Sequence, residues 1–138
     1  MRNKLVIIGC GRFGARIANE SSLEGENVVI IDSDPSSFDR LSDDYSGYTV
    51  TCDASDVSLL EEDGYIKDAY QIVISTGDDN LNLFLSHVAV SIYETPAVYV
   101  RFNDPSFASL VNDKNIKAIY PFELSLKKYR NLLNGRGR

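Results

Sequence analysis

The sequence predicts an α/β protein of the Rossmann type, a doubly wound parallel sheet with helices on both faces. Two observations predict this class. The apolar residues 5–8 run directly into a glycine pattern formed by Gly9, Gly11 and Gly14. Five more short apolar or β-branched runs then alternate with stretches of helical periodicity. Parallel strands with helical crossovers wind in one hand, so we expect six strands in the order 3-2-1-4-5-6.

Each predicted strand is a short run that ends at a glycine, a proline or a polar cluster. Apolar runs of this length are too short to be helices. The predicted strands cover residues 5–8, 28–31, 48–51, 70–74, 97–101 and 117–120.

The first three predicted helices follow strands one to three. The first starts at the glycine pattern and frays at a pair of serines. The second opens at Pro35, where the missing N–H of proline is harmless, carries Phe38 and Leu41, and ends before Ser46. A short third helix covers residues 57–60.

The fourth predicted helix, over residues 81–92, is the most regular because its apolar side chains recur at helical spacing. A fifth opens after strand five, with Phe107, Leu110 and Val111 expected to face inward. The last helix covers residues 123–133 and is followed by a loose tail.

The three glycines after strand one have separate predicted roles. Gly9 lets the chain turn sharply off the strand, and Gly11 lets a pyrophosphate approach the backbone. Gly14 lets the next helix pack close to the strand. The N-terminus of that helix offers unpaired N–H groups and a partial positive charge to a phosphate.

Asp32 ends the second strand, 21 residues after Gly11. An acidic residue about 20 residues after the glycine pattern binds a ribose hydroxyl in dinucleotide sites. The alternative is a plain glycine turn with Asp32 as a helix cap. Ser33 and Asp34 supply no positive charge for a 2′-phosphate, so the sequence disfavours NADP.

The composition fits one domain over residues 1–138, with 43% hydrophobic and 25% charged residues. Every apolar run is far shorter than the roughly 20 residues of a membrane span or the core of a signal peptide, so we expect a cytoplasmic location. The net charge of −6 and a pI of about 4.7 disfavour nucleic acid binding. The basic residues near the C-terminal end, interpreted as a solvated helix face and tail, are Lys127, Lys128, Arg130, Arg136 and Arg138.

The residues that might carry chemistry form no recognisable catalytic or metal-binding set. Cys10 and Cys52 belong to strands two positions apart, roughly 9–10 Å, which is too far for a disulfide. Their spacing suggests no metal site. His87, the single histidine, has no evident nucleophile or carboxylate partner. We therefore predict no metal and no enzymatic activity.

Polar residues at other strand ends complete one predicted crevice. Asp53 and Ala54 follow strand three, Thr76 follows strand four, and Arg101 ends strand five. For Asp53 a turn role, and for Arg101 a salt bridge at the rim, are equally good interpretations. Arg12 starts the first helix, where it would neutralise phosphates unless it is simply a solvated arginine.

Six motifs in a fixed order identify a family. They are GCGRFG at 9–14, the acidic Asp32, CDASD at 52–56, STGDDNLNLF at 75–84, VRFNDP at 100–105 and AIYP at 118–121. Together they resemble the RCK/KTN (TrkA-N type) N-terminal domain, the nucleotide-binding regulatory domain of bacterial potassium transporters of the Trk/Ktr type and of potassium channels.

The resemblance implies a regulatory subunit that binds an adenine nucleotide, either NAD or NADH, or ATP, ADP or AMP. It also implies assembly into dimers or rings that gate a membrane potassium transporter or channel, at the inner face of the cell membrane. From the glycine pattern, the strand ends and the resemblance, the candidate nucleotide-binding residues are Gly9, Cys10, Gly11, Arg12, Phe13, Gly14, Asp32, Ser33, Asp53, Ala54, Thr76, Gly77, Asp78 and Arg101. Asp78 has the alternative role of capping the fourth helix.

Three departures from the family limit what the resemblance implies. Cys52 stands where members often have glycine. Phe122, rather than a glutamate, follows Pro121, and Glu123 comes one residue later, so no cation site is carried over. The C-terminal ligand domain usual in the family is not seen, so the chain is either a free-standing subunit or a fragment.

Two further expectations concern partners and chemistry. The competing function is the cofactor-binding part of an NAD-dependent oxidoreductase. Apolar stripes on two helices suggest assembly, although the last stripe would equally serve to pack on its own sheet. These residues are Leu83, Phe84, His87 and Tyr93 around the fourth helix, and Leu126, Tyr129 and Leu133 on the last helix.

Overall fold

The computed structural model describes residues 1–111 and 113–135, which form one six-stranded parallel sheet with helices on both faces. The strand order β3-β2-β1-β4-β5-β6 confirms the predicted 3-2-1-4-5-6. All five strand pairings are parallel. The strands are β1 (Lys4–Ile8), β2 (Val28–Asp32), β3 (Tyr48–Thr51), β4 (Ala69–Ile74), β5 (Ala97–Arg101) and β6 (Ile116–Ile119).

The described residues also form four α-helices and three short 3-10 helices, all between strands except the last α-helix. The α-helices are α1 (Arg12–Leu23), α2 (Val57–Glu62), α3 (Asp79–Ser91) and α4 (Pro121–Leu133). The 3-10 helices are Pro35–Arg40, Ile66–Asp68 and Pro105–Leu110. No helix of the described residues is long and apolar enough to cross a membrane.

The core has one layer on each face of the sheet, because successive residues of a strand point to opposite faces. In β1, Val6 and Ile8 pack on the side of α3, while Leu5 and Ile7 pack on the side of α1. All four side chains are at most 3% exposed. Burial on both faces explains why the central strands read as unbroken apolar runs.

Two predicted α-helices are instead 3-10 helices of six residues, Pro35–Arg40 and Pro105–Leu110. Each starts with an aspartate cap and a proline, but each then carries too few apolar residues to pack a longer helix. Leu41 lies beyond the first of them and reaches the core from extended backbone. Phe107 and Val111 pack against the core as expected, whereas Leu110 is 48% exposed, so the inward prediction for it was wrong.

The C-terminal elements begin earlier than predicted. Strand β6 starts at Ile116 and ends at Ile119, and α4 starts at Pro121 rather than at Glu123. Proline suits the first turn of a helix, which explains the earlier start. The predicted loose tail, with Arg136 and Arg138, lies outside the described residues.

Candidate functional site

A cavity of about 400 Å³ opens at the carboxyl ends of the strands, where the strand order reverses between β1 and β4. Ligands of open α/β sheets bind at this position. Its lining divides into a glycine loop, a β2–β3 side and a β4–β5 side. The lining residues are Ile8, Gly9, Cys10 and Gly11 at the centre; Ile31, Asp32, Ser33, Ser37, Arg40, Cys52, Asp53 and Ala54 on the β2–β3 side; and Ser75, Thr76, Gly77, Leu81 and Arg101 on the β4–β5 side.

The glycine loop needs its glycines for two different reasons. A Cβ on Gly14 would lie 2.0 Å from the Gly9 carbonyl oxygen, so this glycine lets α1 pack against the loop. Gly9 has a φ of +107°, and a Cβ there would lie 2.6 Å from the carbonyl oxygen of Ser75. Nothing lies within 4 Å of a Cβ on Gly11, so the backbone there is open to a ligand from the crevice.

Asp32 is half-buried, and backbone N–H groups hold both of its carboxylate oxygens. The Cys10 N–H donates to Oδ2 at 2.8 Å, and the Asp34 N–H donates to Oδ1 at 2.9 Å. Asp34, rather than Asp32, caps the following 3-10 helix by accepting from the Ser36 N–H at 2.9 Å. Asp32 is therefore not a helix cap, and its carboxylate is fixed at the mouth of the crevice.

Asp53 closes a turn, which is one of the two roles that the sequence left open. Its carboxylate accepts from the N–H of Ser55 at 2.9 Å and from the hydroxyl of Ser55 at 2.7 Å, which closes a turn. These hydrogen bonds hold the pKa of Asp53 below its usual value. The same residue, with Ala54, lines the crevice.

One buried amide fixes the β4–β5 side. Asn82 in α3 is fully buried, and its Nδ2 donates to the Thr76 carbonyl at 3.0 Å and to the Arg101 carbonyl at 2.9 Å. Its Oδ1 accepts from the Thr76 N–H at 3.2 Å and from the Thr76 hydroxyl. Asp79 adds a second tie, accepting from the N–H groups of Asn103 and Asp104 at 2.8 and 2.9 Å.

Arg101 faces the crevice rather than the rim. Its guanidinium lies 5.7 Å from the ring centre of Phe13, and its Nη2 donates to the Ser75 carbonyl at 3.5 Å. No carboxylate of the described residues pairs with Arg101, so the rim salt bridge is not formed. Its buried Nε has no partner among the described residues, which leaves a donor for a ligand.

Four candidate residues do not line the crevice. Arg12 is exposed and lines a second groove beside α1 together with Arg16 and Arg40. Phe13 packs beneath Arg101, and Gly14 acts through packing. Asp78 caps α3 by accepting from the N–H groups of Asn80 and Leu81. The contacts of Asp78 are therefore those of a helix cap, the alternative role considered from the sequence.

The sequence interpretation missed Arg40 and Asn82. Arg40 follows Ser37 by three residues, and side chains three apart in a 3-10 helix lie on the same side. Ser37 and Arg40 both line the crevice. The signal for Asn82 was a polar amide inside the apolar stripe of α3. Other lining residues not among the candidates are Ile8, Ile31, Ser37, Cys52, Ser75 and Leu81.

The cysteines and the histidine have structural contacts. Cys10 and Cys52 are buried free thiols, as expected, and burial raises the pKa of both. His87 places Nδ1 3.1 Å from the Leu83 carbonyl oxygen, within its own helix. Within residues 1–111 and 113–135, no group of three or more His, Cys, Asp or Glu side chains is arranged to hold a metal ion.

Comparison with known families gives a match to the TrkA-N domain over residues 5–121. The chain is 33% identical over 115 residues to the Trk system potassium uptake protein TrkA of Streptomyces coelicolor, covering 83% of this chain and 51% of that protein. It is 30% identical over 110 residues to TrkA of Mycobacterium tuberculosis strain H37Rv, covering 80% and 49%. The chain thus spans about half the length of these curated relatives.

Two solved structures share the fold. The Kef C-terminal domain of Shewanella denitrificans, in an AMP-bound form, is 25% identical with a TM-score of 0.69, covering 96% of this chain and 82% of that chain. The TrkA-N domain of the Escherichia coli inner membrane protein ybaL is 12% identical with a TM-score of 0.82, covering 96% and 98%. The second likeness concerns the fold alone.

Proposed function

Because this chain belongs to the TrkA-N domain family, we propose that it is an adenine-nucleotide-binding regulatory domain of a potassium transport system. The observation that carries the proposal is the crevice, where an unobstructed Gly11 lies beside an Asp32 carboxylate that two backbone N–H groups already hold. Backbone N–H donors for a phosphate and a carboxylate acceptor for the ribose hydroxyls thus stand next to each other at the ends of β1 and β2.

The roles within the site follow from this geometry. Phosphates lie against the Gly11 backbone and the N-terminus of α1, and the ribose hydroxyls donate to Asp32. The adenine lies towards Asp53 and Ala54. Arg101 supplies a positive charge and an unpartnered Nε donor from the opposite side of the crevice. The ligand is NAD or NADH, or one of ATP, ADP and AMP. AMP occupies the similar Kef domain.

Regulation is the proposed output of nucleotide binding. A ligand shifts a conformational equilibrium when it binds one state better than another. The relatives are named for potassium uptake by the Trk system. We therefore propose a membrane potassium transporter or channel as the partner, and a position at the cytoplasmic face of the membrane through that partner.

Helix α4 supports assembly with a second copy of the chain. The structure describes this helix in full, and none of its residues is buried. The packing of the last stripe on its own sheet, the alternative considered from the sequence, is therefore not observed. The exposed apolar residues of α4, each 53–69% exposed, are Phe122, Leu124, Tyr129, Leu132 and Leu133.

The charges of α4 favour an antiparallel pair of these helices. Glu123 lies in its first turn and Arg130 in its last turn. In a symmetric antiparallel pair, Glu123 of each copy lies opposite Arg130 of the other, and the apolar faces are covered. A homo-oligomer built through α4 is therefore the proposed state.

Light scattering tests the oligomer. The variant Phe122→Glu/Tyr129→Glu changes two side chains that are exposed in the single chain, so the chain should keep its fold, which circular dichroism checks. We expect a dimer or larger wild-type assembly and a smaller species for the variant. The control Lys128→Glu changes charge on the same helix without removing apolar surface. A wild-type monomer at every concentration and with every nucleotide would contradict the proposal.

Thermal-shift titration with ATP, ADP, AMP, NAD, NADH and NADP tests the ligand. Hydrogen bonds to a charged group contribute about 1.5–3 kcal/mol, so Asp32→Ala should weaken binding about tenfold or more. The exposed Asp43→Ala serves as the matched control. Unchanged affinity in the Asp32 variant would refute the assignment of the ribose to this residue.

Potassium uptake tests the regulatory role. Deleting the gene should alter nucleotide-dependent uptake, and the wild-type gene should restore it while the Asp32→Ala form should not. Substrate-dependent oxidation of NADH by the pure protein would instead support the oxidoreductase alternative. Unchanged uptake after deletion would reject the regulatory proposal.

A further inference from the structure

The β2–β3 side of the crevice contains a positive charge that the sequence did not reveal. The expectation against a 2′-phosphate rested on Ser33 and Asp34, which carry none. The connection after β2 is a 3-10 helix of three residues per turn, so Ser37 and Arg40 lie on one side of it. Both side chains reach the crevice that Asp32 also lines.

Two hydrogen bonds join this 3-10 helix to the glycine loop. The thiol of Cys10 donates to the Ser37 carbonyl at 3.3 Å, and Nη1 of Arg40 donates to the Cys10 carbonyl at 3.2 Å. The N–H of the same Cys10 donates to Asp32. The guanidinium and the carboxylate therefore both bond to the backbone of Cys10, and both residues line the crevice.

The electrostatics of Cys10 support that placement. Burial raises the pKa of the thiol most, Asp32 raises it further, and Arg40 lowers it. Hydrogen bonds from the hydroxyl and the N–H of Ser36 lower the pKa of Asp34 most, and Arg40 makes the smallest contribution. A guanidinium has five N–H donors, and Arg40 uses one of them on the Cys10 carbonyl. Within the described part of the chain, no carboxylate forms a salt bridge with Arg40.

We propose that Arg40 is a specificity-determining residue that forms a cationic subsite for a phosphate on the adenosine ribose, beside the Asp32 carboxylate that binds the unmodified ribose. The inference rests on the proposed nucleotide site and extends it. A nearby arginine is the usual means of accommodating a 2′-phosphate in this class of fold. Here Arg40 lies in the same crevice as Asp32, whose negative charge repels a 2′-phosphate.

The two charges set the preference by opposition. Asp32 and Asp34 repel a 2′-phosphate, so the wild type binds NAD more tightly than NADP. Arg40 limits the size of that difference because it pairs with the phosphate when one is present. Removing Arg40 enlarges the preference for NAD. Neutralising Asp32 favours NADP, provided that Arg40 remains.

Isothermal titration with NAD and NADP on four proteins tests this opposition: the wild type, Arg40→Gln, Asp32→Asn and the double variant. Arg40→Gln should weaken NADP about tenfold more than NAD, an effect of the size expected for a lost charge-assisted hydrogen bond. Asp32→Asn should raise NADP affinity relative to NAD, and the double variant should lose that gain. Lys114→Gln, which removes a charge at the opposite end of the sheet, should change neither ratio.

Other outcomes contradict the proposal in distinguishable ways. An equal loss for NAD and NADP in Arg40→Gln would show that the arginine stacks on the base or supports the loop. An Asp32→Asn gain that survives in the double variant would show that Arg40 does not contact the phosphate. If the wild type binds neither nucleotide nor AMP, the proposed function itself fails. The melting temperature of each ligand-free variant separates misfolding from altered specificity.

Discussion

The two sides of the crevice are held in place by different means. On the β2–β3 side, the turns are closed locally: Asp34 and Asp53 each bond the residue two positions later. On the β4–β5 side, the loops are tied to helix α3 by long-range bonds, from Asn82 to the Arg101 carbonyl and from Asp79 to the Asn103 N–H. The β2–β3 side is also tied to Cys10 of the glycine loop, whereas the β4–β5 side depends on helix α3.

This difference indicates how each side responds to a ligand. The β2–β3 side presents Asp32 already fixed, so it offers a preformed contact to a ribose. The loops that carry Thr76 and Arg101 share their anchor with α3, so a displacement of that helix moves them together. The exposed Phe84 of the same helix is available to a partner. A partner that binds α3 should therefore act on the β4–β5 side first.

The largest effect is expected where the two sides meet. In Gly14→Ala, the new Cβ would lie 2.0 Å from the Gly9 carbonyl oxygen, and the backbone must shift. We expect a loss of about 3 kcal/mol or more in the free energy of unfolding. Denaturant unfolding measures it. Gly11→Ala is the matched control, because its Cβ meets nothing within 4 Å, and it should weaken nucleotide binding with little loss of stability. Equal stability of both variants would contradict the packing role of Gly14.

The next effect isolates the β4–β5 side. Asn82→Ala removes the amide that satisfies the carbonyls of Thr76 and Arg101 and leaves buried polar groups unpaired. We expect a loss of about 2–4 kcal/mol in unfolding free energy. Asn80→Ala, at an exposed position of the same helix, should cost less than about 0.5 kcal/mol. If Asn82→Ala folds, its affinity for NAD should fall more than its affinity for AMP, because NAD is longer and reaches the β4–β5 side. An equal loss of affinity for both nucleotides would contradict the separation of the two sides.

A smaller loss of stability is expected when one carboxylate is changed on either side, Asp79 on the β4–β5 side or Asp53 on the β2–β3 side. Asp79 accepts from the backbone N–H groups of Asn103 and Asp104 with different oxygens, so Asp79→Asn removes one of these long-range hydrogen bonds and weakens the other. We expect a loss of about 1–2 kcal/mol in unfolding free energy. Asp53→Asn, which alters a turn that closes within two residues, should cost less. Thermal melts of the two variants give the order, and the reverse order would contradict the comparison.

The smallest effect is a dependence on pH. Hydrogen bonds from Ser55 lower the pKa of Asp53 from its ordinary 3.8 in the folded protein. A lowered folded pKa contributes stability above the unfolded pKa, and that contribution disappears as the pH falls through the folded value. The stability difference between the wild type and Asp53→Asn should therefore be constant above about pH 5 and shrink below about pH 4. A difference that grows on acidification would reverse the assigned sign.

The sequence was sufficient for the strand order and for the residues at strand ends. Apolar runs such as residues 28–31 are buried on both faces, so an unbroken apolar pattern predicts a central parallel strand. The sequence was not sufficient where tertiary contacts determine the conformation. The stretch after Pro35 begins like an α-helix, but it has too little apolar surface to continue, and the shorter 3-10 helix then brings Arg40 to the crevice.

Two other outcomes follow from the same limitation. Asn82 is informative only once both loops that it joins are in place, because its partners are 6 and 19 residues away. Arg12, next to a glycine in the motif, is predicted as a phosphate ligand, but it lines a second groove beside α1 rather than the crevice. The direction of a side chain at a helix start depends on the cap geometry, which the sequence motif alone does not define.

The most direct test of the central claim is a titration of the isotope-labelled protein with AMP, followed by the amide resonances in NMR spectra. If the nucleotide binds at the glycine loop, the largest shifts belong to Gly11, whose backbone is open to the crevice, and to Cys10, whose N–H donates to Asp32. The amides of Lys4 and Tyr48, at the opposite end of the sheet, should not move. Largest shifts at Lys4 and Tyr48, with an unchanged glycine loop, would contradict the account.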